Sequence, residues 1–426
     1  MKLETLKSEK PLRISNDRIY HIQTYGRQND YPQKVMEVVG GSITGSTCVD
    51  QYGKFLFGRG FRQRDFYAAV VNERGDRADD VLNAVARDYA MFGGFALHVN
   101  WNALYEITSV MHVPFEWLRF EELNENYEFN RIAMHKDWGR RYANLRRFRS
   151  QDIVWFDFFN PDHEAIRKQV EEAGGWNEWN GQVFYYSSRG PKSYPLPLFD
   201  GALTDMSAEE GLSNVSYRNI RNNYLPAGMF IDHNNGENSK TQEDETKKQL
   251  SEFQGDAKAG RMLYLNLSDG EVAPEFKPFE TNNTDQKYKQ SDEKVPDRIG
   301  AAFCQPPILR AKDVGSNFGA TAMKEAYEYY NSQTETERLT MERVMQDVFQ
   351  YMRGINKINP DGDYSIMPKI YEVNQTLAEK LGDRTDKVLE LLFDTSKTEE
   401  AKRVVLAKIF GLEDEDIDEL IKGTKQ

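Results

Sequence analysis

Cysteine is scarce in this sequence of 426 residues: Cys48 and Cys304 are the only two. They lie far apart and form no CxxC or Cys/His spacing, which excludes a disulfide framework and a zinc site of the common kinds. Both read as small buried apolar groups in a reducing compartment. Long apolar runs are also missing. The longest, around Tyr89 to Val99, is broken by Gly93, Gly94 and His98 and is far too short to cross a bilayer. The first residues, Met1 to Arg13, are charged and hold no apolar core of signal-peptide length, so neither secretion nor membrane insertion is expected.

Positive charge is in deficit. The chain carries 55 Lys and Arg against 68 Asp and Glu, a net charge of −13. A protein that grips a nucleic-acid duplex presents a basic face and releases counterions, so tight or sequence-specific binding is disfavoured. Catalytic signatures are absent too: there is no GxxxxGK[ST], no HExxH and no GxSxG. The histidines, His21, His98, His112, His135, His163 and His233, are scattered. His98 and His112 fall in strand-like runs, where a structural histidine is the better reading than a catalytic or metal-binding one. Asp361-Gly362-Asp363 begins like a calcium loop but lacks the later ligands and reads as a turn. Glu413 to Glu419 is almost wholly acidic and reads as the first turn of a helix, where the macrodipole favours acids. The sequence supports no catalytic site, no cofactor and no metal; it is not expected to be an enzyme.

What is present is enough apolar material for real cores, 39% hydrophobic and 12% aromatic residues, in a chain whose mean hydropathy is nevertheless −0.73. The length suggests two or more lobes. Val49, Tyr52, Phe55 and Leu56 recur at helical spacing before a stop at Gly58. Asp79 to Met91 is a second amphipathic helix, ending at Gly93-Gly94. The period then changes to two: Phe95–Trp101 and Glu106–Val113 read as strands around a turn near Asn102 to Leu104, and Phe115–Phe120, Asn130–His135 and Ile153–Phe159 continue the pattern. The first lobe is expected to be α+β with antiparallel strands. Trp176 to Ser187 is aromatic in turn-rich surroundings and reads as irregular or short-stranded.

Pro195-Leu196-Pro197-Leu198 marks a boundary, since two prolines resist both helix and central strand. Asp200 to Tyr224 then reads as one helix of roughly 35 Å. Its apolar stripe (Leu203, Met206, Leu212, Val215, Ile220) is thin, which suits packing against neighbouring subunits better than burial within one domain. A small βαβ-like unit follows, with strands at Ala227–Asp232 and Arg261–Leu267, a helix at Thr241–Phe253 and a further strand at Glu275–Phe279. Asp285 to Phe303 is a second polar helix, with a kink or break expected at Pro296. After Gln305-Pro306-Pro307-Ile308-Leu309-Arg310 comes a Gly/Ser/Asn loop to Gly319. A long helix is expected over Ala320–Met352, then a turn at Asn359–Gly362. Short helices are expected at Gln375–Phe393, Thr398–Phe410 and Asp414–Lys422.

The order of these parts resembles the portal proteins of tailed bacteriophages. Tyr31-Pro32-Gln33 through Ser42-Ile43-Thr44 to Gly58-Arg59-Gly60-Phe61 is similar to the family's opening helix and glycine-bounded turn. Asp88-Tyr89-Ala90-Met91-Phe92-Gly93-Gly94-Phe95-Ala96 is similar to its wing helix and first strand. Asn222-Asn223-Tyr224-Leu225-Pro226-Ala227-Gly228 stands where a stem helix enters the clip. Most specific is Ile299-Gly300-Ala301-Ala302-Phe303-Cys304-Gln305-Pro306-Pro307-Ile308-Leu309 followed by Gly315-Ser316-Asn317-Phe318-Gly319, which resembles the end of the stem and the tunnel loop. The resemblance covers roughly residues 31 to 352.

It implies an α+β portal-type fold: N-terminal arm and wing over 1–199, stem helix 200–224, small α/β clip 225–281, return stem helix 282–304, tunnel loop and long wing helix 305–358, and a small helical crown 359–426. It also implies a homo-oligomeric ring, usually of twelve copies, at one capsid vertex of the virion, assembled in the host cytoplasm. Double-stranded DNA would be packaged through the ring by the terminase large subunit and later ejected. Wings would contact the major capsid protein and clips a head–tail adaptor, with no membrane involved. The tunnel loop would face the DNA with Arg310, Lys312, Ser316 and Asn317, positioning without reading bases, while Asp313 and the overall acidity keep the contact loose. Taken without its flanks, the loop is a connector with Gly for turns and Pro to end a helix. Two other classes fit less of the chain: another virion structural protein, such as a head–tail adaptor or minor capsid protein, and a metal-dependent nuclease built from scattered acids.

Overall fold

The computed structural model describes residues 14–126, 128–138, 149–221, 228–231, 275–278, 284–310, 320–371, 388, 391–392, 398–408 and 417. The chain divides into two compact units, residues 1–369 and 370–426.

In the first unit the periodicities give helices α1 (Tyr31–Gly41), α2 (Ile43–Phe57), α3 (Arg64–Tyr67) and α4 (Ala78–Phe92). The side chain of Ser42 caps α2 by accepting from the Gly45 amide at 2.8 Å, which satisfies one of the four free N–H groups at that end. α2 stops at Gly58, whose φ of +60° suits glycine. A Cβ there would also stand 2.0 Å from the Met367 carbonyl. That close approach lets residues 59–62 pair with 365–367, through Arg59 N–H to Met367 O and Arg62 N–H to Ser365 O, both 2.8 Å. The 359–369 segment is thereby laced to the opening glycine turn.

The strands are β1 (Asn16–Asp17), β2 (Ile22–Gln23), β3 (Gly94–Trp101), β4 (Ile107–Val113), β5 (Leu118–Phe120), β6 (Arg131–Met134), β7 (Val154–Phe158) and β8 (Gln182–Ser187). β3 to β8 form one sheet in the order β4-β3-β8-β7-β6-β5. The expectation of a purely antiparallel sheet is corrected here: β7 and β8 run parallel. A parallel pair needs a crossover, and α5 (His163–Ala173) supplies it. The segment read as irregular or short-stranded thus holds β8, an interior strand paired with both β3 and β7. Both outer strands are partly covered. Val71, Tyr351 and Arg353 bond the β4 backbone at residues 107 and 110, and just past β5 the Glu122 amide donates to His21 O, so part of each edge is paired.

Arg119 lies within this lobe with 1% of its surface exposed. Its guanidinium donates to the side chain and carbonyl of Asn29 and to the carbonyls of Glu116 and Leu118, and it lies 5.5 Å from the ring centres of Tyr25 and Trp138. Burial pulls its pKa down to about 10, so it remains charged at neutral pH and is satisfied by carbonyls and rings rather than by a carboxylate. His98 and His112 also take partners inside the fold: His98 Nε2 is 2.7 Å from Asn180 O, and His112 Nε2 is 2.7 Å from Asp88 Oδ2.

The second half gives α6 (Leu203–Arg221), β9 (Gly228–Ile231), β10 (Glu275–Pro278) and α7 (Thr284–Ala302). β9 and β10 pair antiparallel; the helix at 241–253 and the strand at 261–267 lie outside the described residues. α7 runs unbroken through Pro296, so of the kink or break expected there the break does not occur. The long helix expected over 320–352 is two helices, α8 (Ala320–Gln333) and α9 (Glu335–Phe349). The interruption is Thr334, which is 1% exposed. Its hydroxyl donates back to Tyr330 O at 3.0 Å while Arg338 donates to that hydroxyl at 2.6 Å and to Asn331 O at 2.6 Å. Threonine back-bonding of this kind bends helices. α10 (Ile355–Ile358) and the turn at Gly362, φ +63°, complete the first unit.

In the second unit α11 (Glu399–Lys408) is described, with Val388, Leu391, Leu392, Leu406 and Ile417 forming its apolar cluster. The rest of the expected helices at 375–393, 398–410 and 414–422, and nearly all of the acidic stretch Glu413–Glu419, lie outside the described residues. Among the described residues no helix is long and apolar enough to cross a membrane.

Candidate functional site: the helix pair and the root of the loop

α6 and α7 lie side by side, and their described side chains meet through an apolar seam and one ion pair. Among the described side chains at the end of α7, Val295 and Ile299 are buried, and Phe303 just past the helix continues their spacing of four, so the three stack on one face. Asp292, Glu293, Lys294, Asp297 and Arg298 around them are exposed. On α6 the matching buried side chain is Met206. Phe303 stacks on Phe199 with ring centres 5.0 Å apart and meets Tyr52 of α2 edge-on at 6.2 Å. Arg298 pairs with Asp205 at 2.6 Å across the two helices.

A second tie joins α6 to α2. The Glu209 carboxylate accepts from the hydroxyl of Ser42, from the Thr44 hydroxyl at 2.6 Å and from the Thr44 amide at 3.2 Å. An acid at the start of a helix is stabilised both by the free N–H groups and by the dipole. One residue on, the Glu210 carboxylate lies against Gly41 of α1. Leu212 and Val215 are only half-buried, and Tyr217 is 62% exposed.

The chain leaves α7 by a turn in which Cys304 has φ +51°, and Pro307–Arg310 then forms one 3-10 turn. Sequence reasoning expected both thiols to be buried. Cys48 is, and burial pushes its pKa up to about 11; Cys304 is exposed, because the turn carries it outward. Two glutamines fix the turn to α2: Gln51 Nε2 donates to Leu309 O at 2.8 Å, and Gln305 Nε2 to Cys48 O at 3.5 Å. An open groove of about 630 Å³ runs beside it, lined by residues that include Cys304, Pro306, Ile308, Ala326 and Tyr329.

Of the five residues that the sequence singled out, the structure describes Arg310. Its side chain is 10% exposed; Nη1 donates to Pro296 O at 2.9 Å and lies 3.7 Å from Asp297 Oδ1. Lys312, Asp313, Ser316 and Asn317 lie outside the described residues. Sequence reasoning missed Gln51, Gln305 and Glu209 as anchors. Each is a polar residue on or beside an amphipathic stretch, and nothing in its spacing reveals a partner far along the chain. Among the described residues no three His, Cys, Asp or Glu side chains converge as metal ligands would.

No family model matches the sequence, and neither does any curated protein. Among solved structures the chain is similar to one in the virion of a native gene transfer agent particle, with 14% identity, a TM-score of 0.45, and coverage of 90% of this chain and 93% of that one. It is similar to a chain in the neck of the native gene transfer agent particle computed with C12 symmetry, at 15% identity, TM-score 0.45 and the same coverage. It is also similar to an HK97-family phage portal protein from Corynebacterium diphtheriae, at 11% identity and TM-score 0.37, covering 68% of this chain and 82% of that one.

Proposed function

We propose that this chain is one subunit of a tailed-phage portal, a ring at one capsid vertex of the virion through which double-stranded DNA is packaged and later ejected. The observation that carries the reading is the α6–α7 pair: two helices joined by an apolar seam at their base, with charged outer faces and with Leu212 and Val215 half-buried and Tyr217 exposed among the described residues. A polar helix with a thin apolar stripe is stable when neighbours cover the stripe, and a closed ring of identical subunits covers every copy alike.

In this reading residues 1–199 form arm and wing, α6 and α7 belong to the stem segments 200–224 and 282–304, and residues 225–281 form the clip. Residues 305–358 carry the tunnel loop and wing helices, and 359–426 the crown. Lys312, Ser316 and Asn317 meet passing phosphates without reading bases, Asp313 and the net charge of −13 keep that contact loose, and Arg310 stands at the root of the loop. The ring has twelve copies, as in the family that the sequence resembles. Its partners are the terminase large subunit, the major capsid protein and a head–tail adaptor; assembly takes place in the host cytoplasm.

Negative-stain images of the purified chain test this. Rings with a central hole are expected; monomers or dimers alone, across low and high salt, would overturn it.

A further inference from the structure

Arg310 stands at the start of the loop that would meet DNA, and a basic side chain there invites a phosphate-contact role. Its surroundings assign it another. The guanidinium lies flat against the last turn of α7, over Gly300. A Cβ placed on Gly300 would come within 2.2 Å of Arg310 Cζ and Nη1 and 2.6 Å of Nε, so the hollow exists only because residue 300 has no side chain. Nη1 is held by the Pro296 carbonyl one turn earlier, with Asp297 alongside. Nε is buried and has no hydrogen-bond partner among the described residues, so that edge of the fork faces protein. The residue before it, Leu309, is buried and bonded by Gln51.

We infer that Arg310 is a positioning residue: seated in the Gly300 hollow and bonded to Pro296, it clamps the root of the Pro306–Gly319 loop to the end of α7 and takes no part in contacting phosphate. The fork geometry matters here, since a lysine could carry the charge but could not lie flat in the hollow while bonding Pro296. The inference deepens the portal reading and rests on it only for what the loop meets.

The test uses the full chain and four substitutions: Arg310→Ala, Arg310→Lys, Gly300→Ala and Lys312→Ala. Amide hydrogen exchange is read at Leu309 and Gln305, whose N–H groups bond Pro306 O and Gly300 O. Arg310→Ala, Arg310→Lys and Gly300→Ala should each speed that exchange on the order of ten-fold, about 1.4 kcal/mol of local opening, with the rest of α7 unchanged. Lys312→Ala should leave it at the wild-type rate. Gly300→Ala is the sharpest arm. Alanine stabilises a helix interior relative to glycine, so faster exchange there means that the arginine has been unseated. In an Arg310→Ala background the same change should slow exchange.

In assembled rings, DNA retention is then measured against salt. Each phosphate contact contributes to the slope, so Lys312→Ala should flatten it and Arg310→Ala should not. Wild-type exchange in both Gly300→Ala and Arg310→Lys, or a flatter salt slope in Arg310→Ala, overturns the clamp. Should Arg310→Ala fail to fold, the Arg310→Lys and Gly300→Ala proteins decide the clamp in its place, with Arg310→Lys rings retaining the wild-type slope. If no rings form, the portal reading fails while the exchange measurements still decide the clamp.

Discussion

Along β3 the side chains of Phe95, Leu97 and Val99 are all fully buried, whereas along α6 none of the side chains from Ser207 to Arg218 is. The sheet lobe covers part of each edge and satisfies even a buried guanidinium internally. The helix pair is tied down at its base and shows charge and half-covered apolar groups beyond. A sheet repeats its contacts strand by strand, so once β8 fills the interior every neighbour has a partner. Two helices give each other one stripe only. Among the described residues the lobe is therefore packed throughout, and the outer length of the pair is not.

Removing the seam breaks this comparison most directly. Phe303 is 1% exposed, with Phe199 on its face and Tyr52 at its edge. Phe303→Ala should cost about 3–5 kcal/mol in urea denaturation, the sum of lost transfer energy and a cavity that the two rings cannot close. A loss below about 1 kcal/mol would mean that the base of the pair is held by something other than the seam.

Glu209→Ala should cost less, about 1–2 kcal/mol, the usual value of a lost N-terminal cap, because the half-buried Thr44 groups can turn to water and the buried Ser42 hydroxyl keeps its bond from the Gly45 amide. The drop should appear as early opening of α2 and α6 in hydrogen exchange while β3 and β8 keep their protection. Equal loss of protection across the sheet would show that lobe and pair unfold as one.

Val215→Asp separates folding from assembly. The position is half-buried in the single chain, so the purified subunit should keep its stability to within about 0.5 kcal/mol. If the portal reading holds, a neighbouring copy covers this stripe, and a carboxylate placed in it should abolish rings in negative stain. Intact rings would place the subunit contact elsewhere on the helices.

How much of this was legible depended on the range of each interaction. The helices over 43–57 and 78–92 could be read because Tyr52, Phe55, Val81 and Val85 report one face by spacing alone. The crossover helix carried signals as well, with Asp162 as its N-cap, Ile166 and Val170 on one face and Gly174 as its stop at φ +94°, yet it is short and surrounded by turn residues. β8 alternates weakly because residues on both of its faces are covered to some degree. Thr334 broke the long helix through a contact with Arg338 that depends on both side chains being buried, which composition cannot show. At the loop the sequence revealed charge at Arg310 but not its seat, since the meaning of Gly300 lies ten residues away and in three dimensions.

The smallest effect sharpens the comparison through pH. His98 has its pKa lowered from 6.5, first by burial and then by the nearby charge of Arg74, with the Asn180 carbonyl opposing; His135 is lowered by burial as well. Both belong to the sheet lobe, and α6 and α7 contain no histidine. As pH falls below 6.5 the unfolded chain takes up these protons before the folded one does. Stability that is fully present above 6.5 is then lost as pH falls through the folded-state values. Asp88 works in the opposite sense, because burial raises its pKa and the folded state gains its proton first. The net slope therefore mixes signs, and the informative quantity is the difference between wild type and His98→Gln, which keeps a donor for Asn180 and removes the titration. Between about pH 7.5 and about pH 5 the wild-type midpoint should fall relative to the variant, and protection of β3 should fall with it while the α6–α7 seam is unchanged. Parallel curves for the two proteins would show that His98 does not feel its burial, and acid loosening of the seam would show that the two regions are not energetically separate.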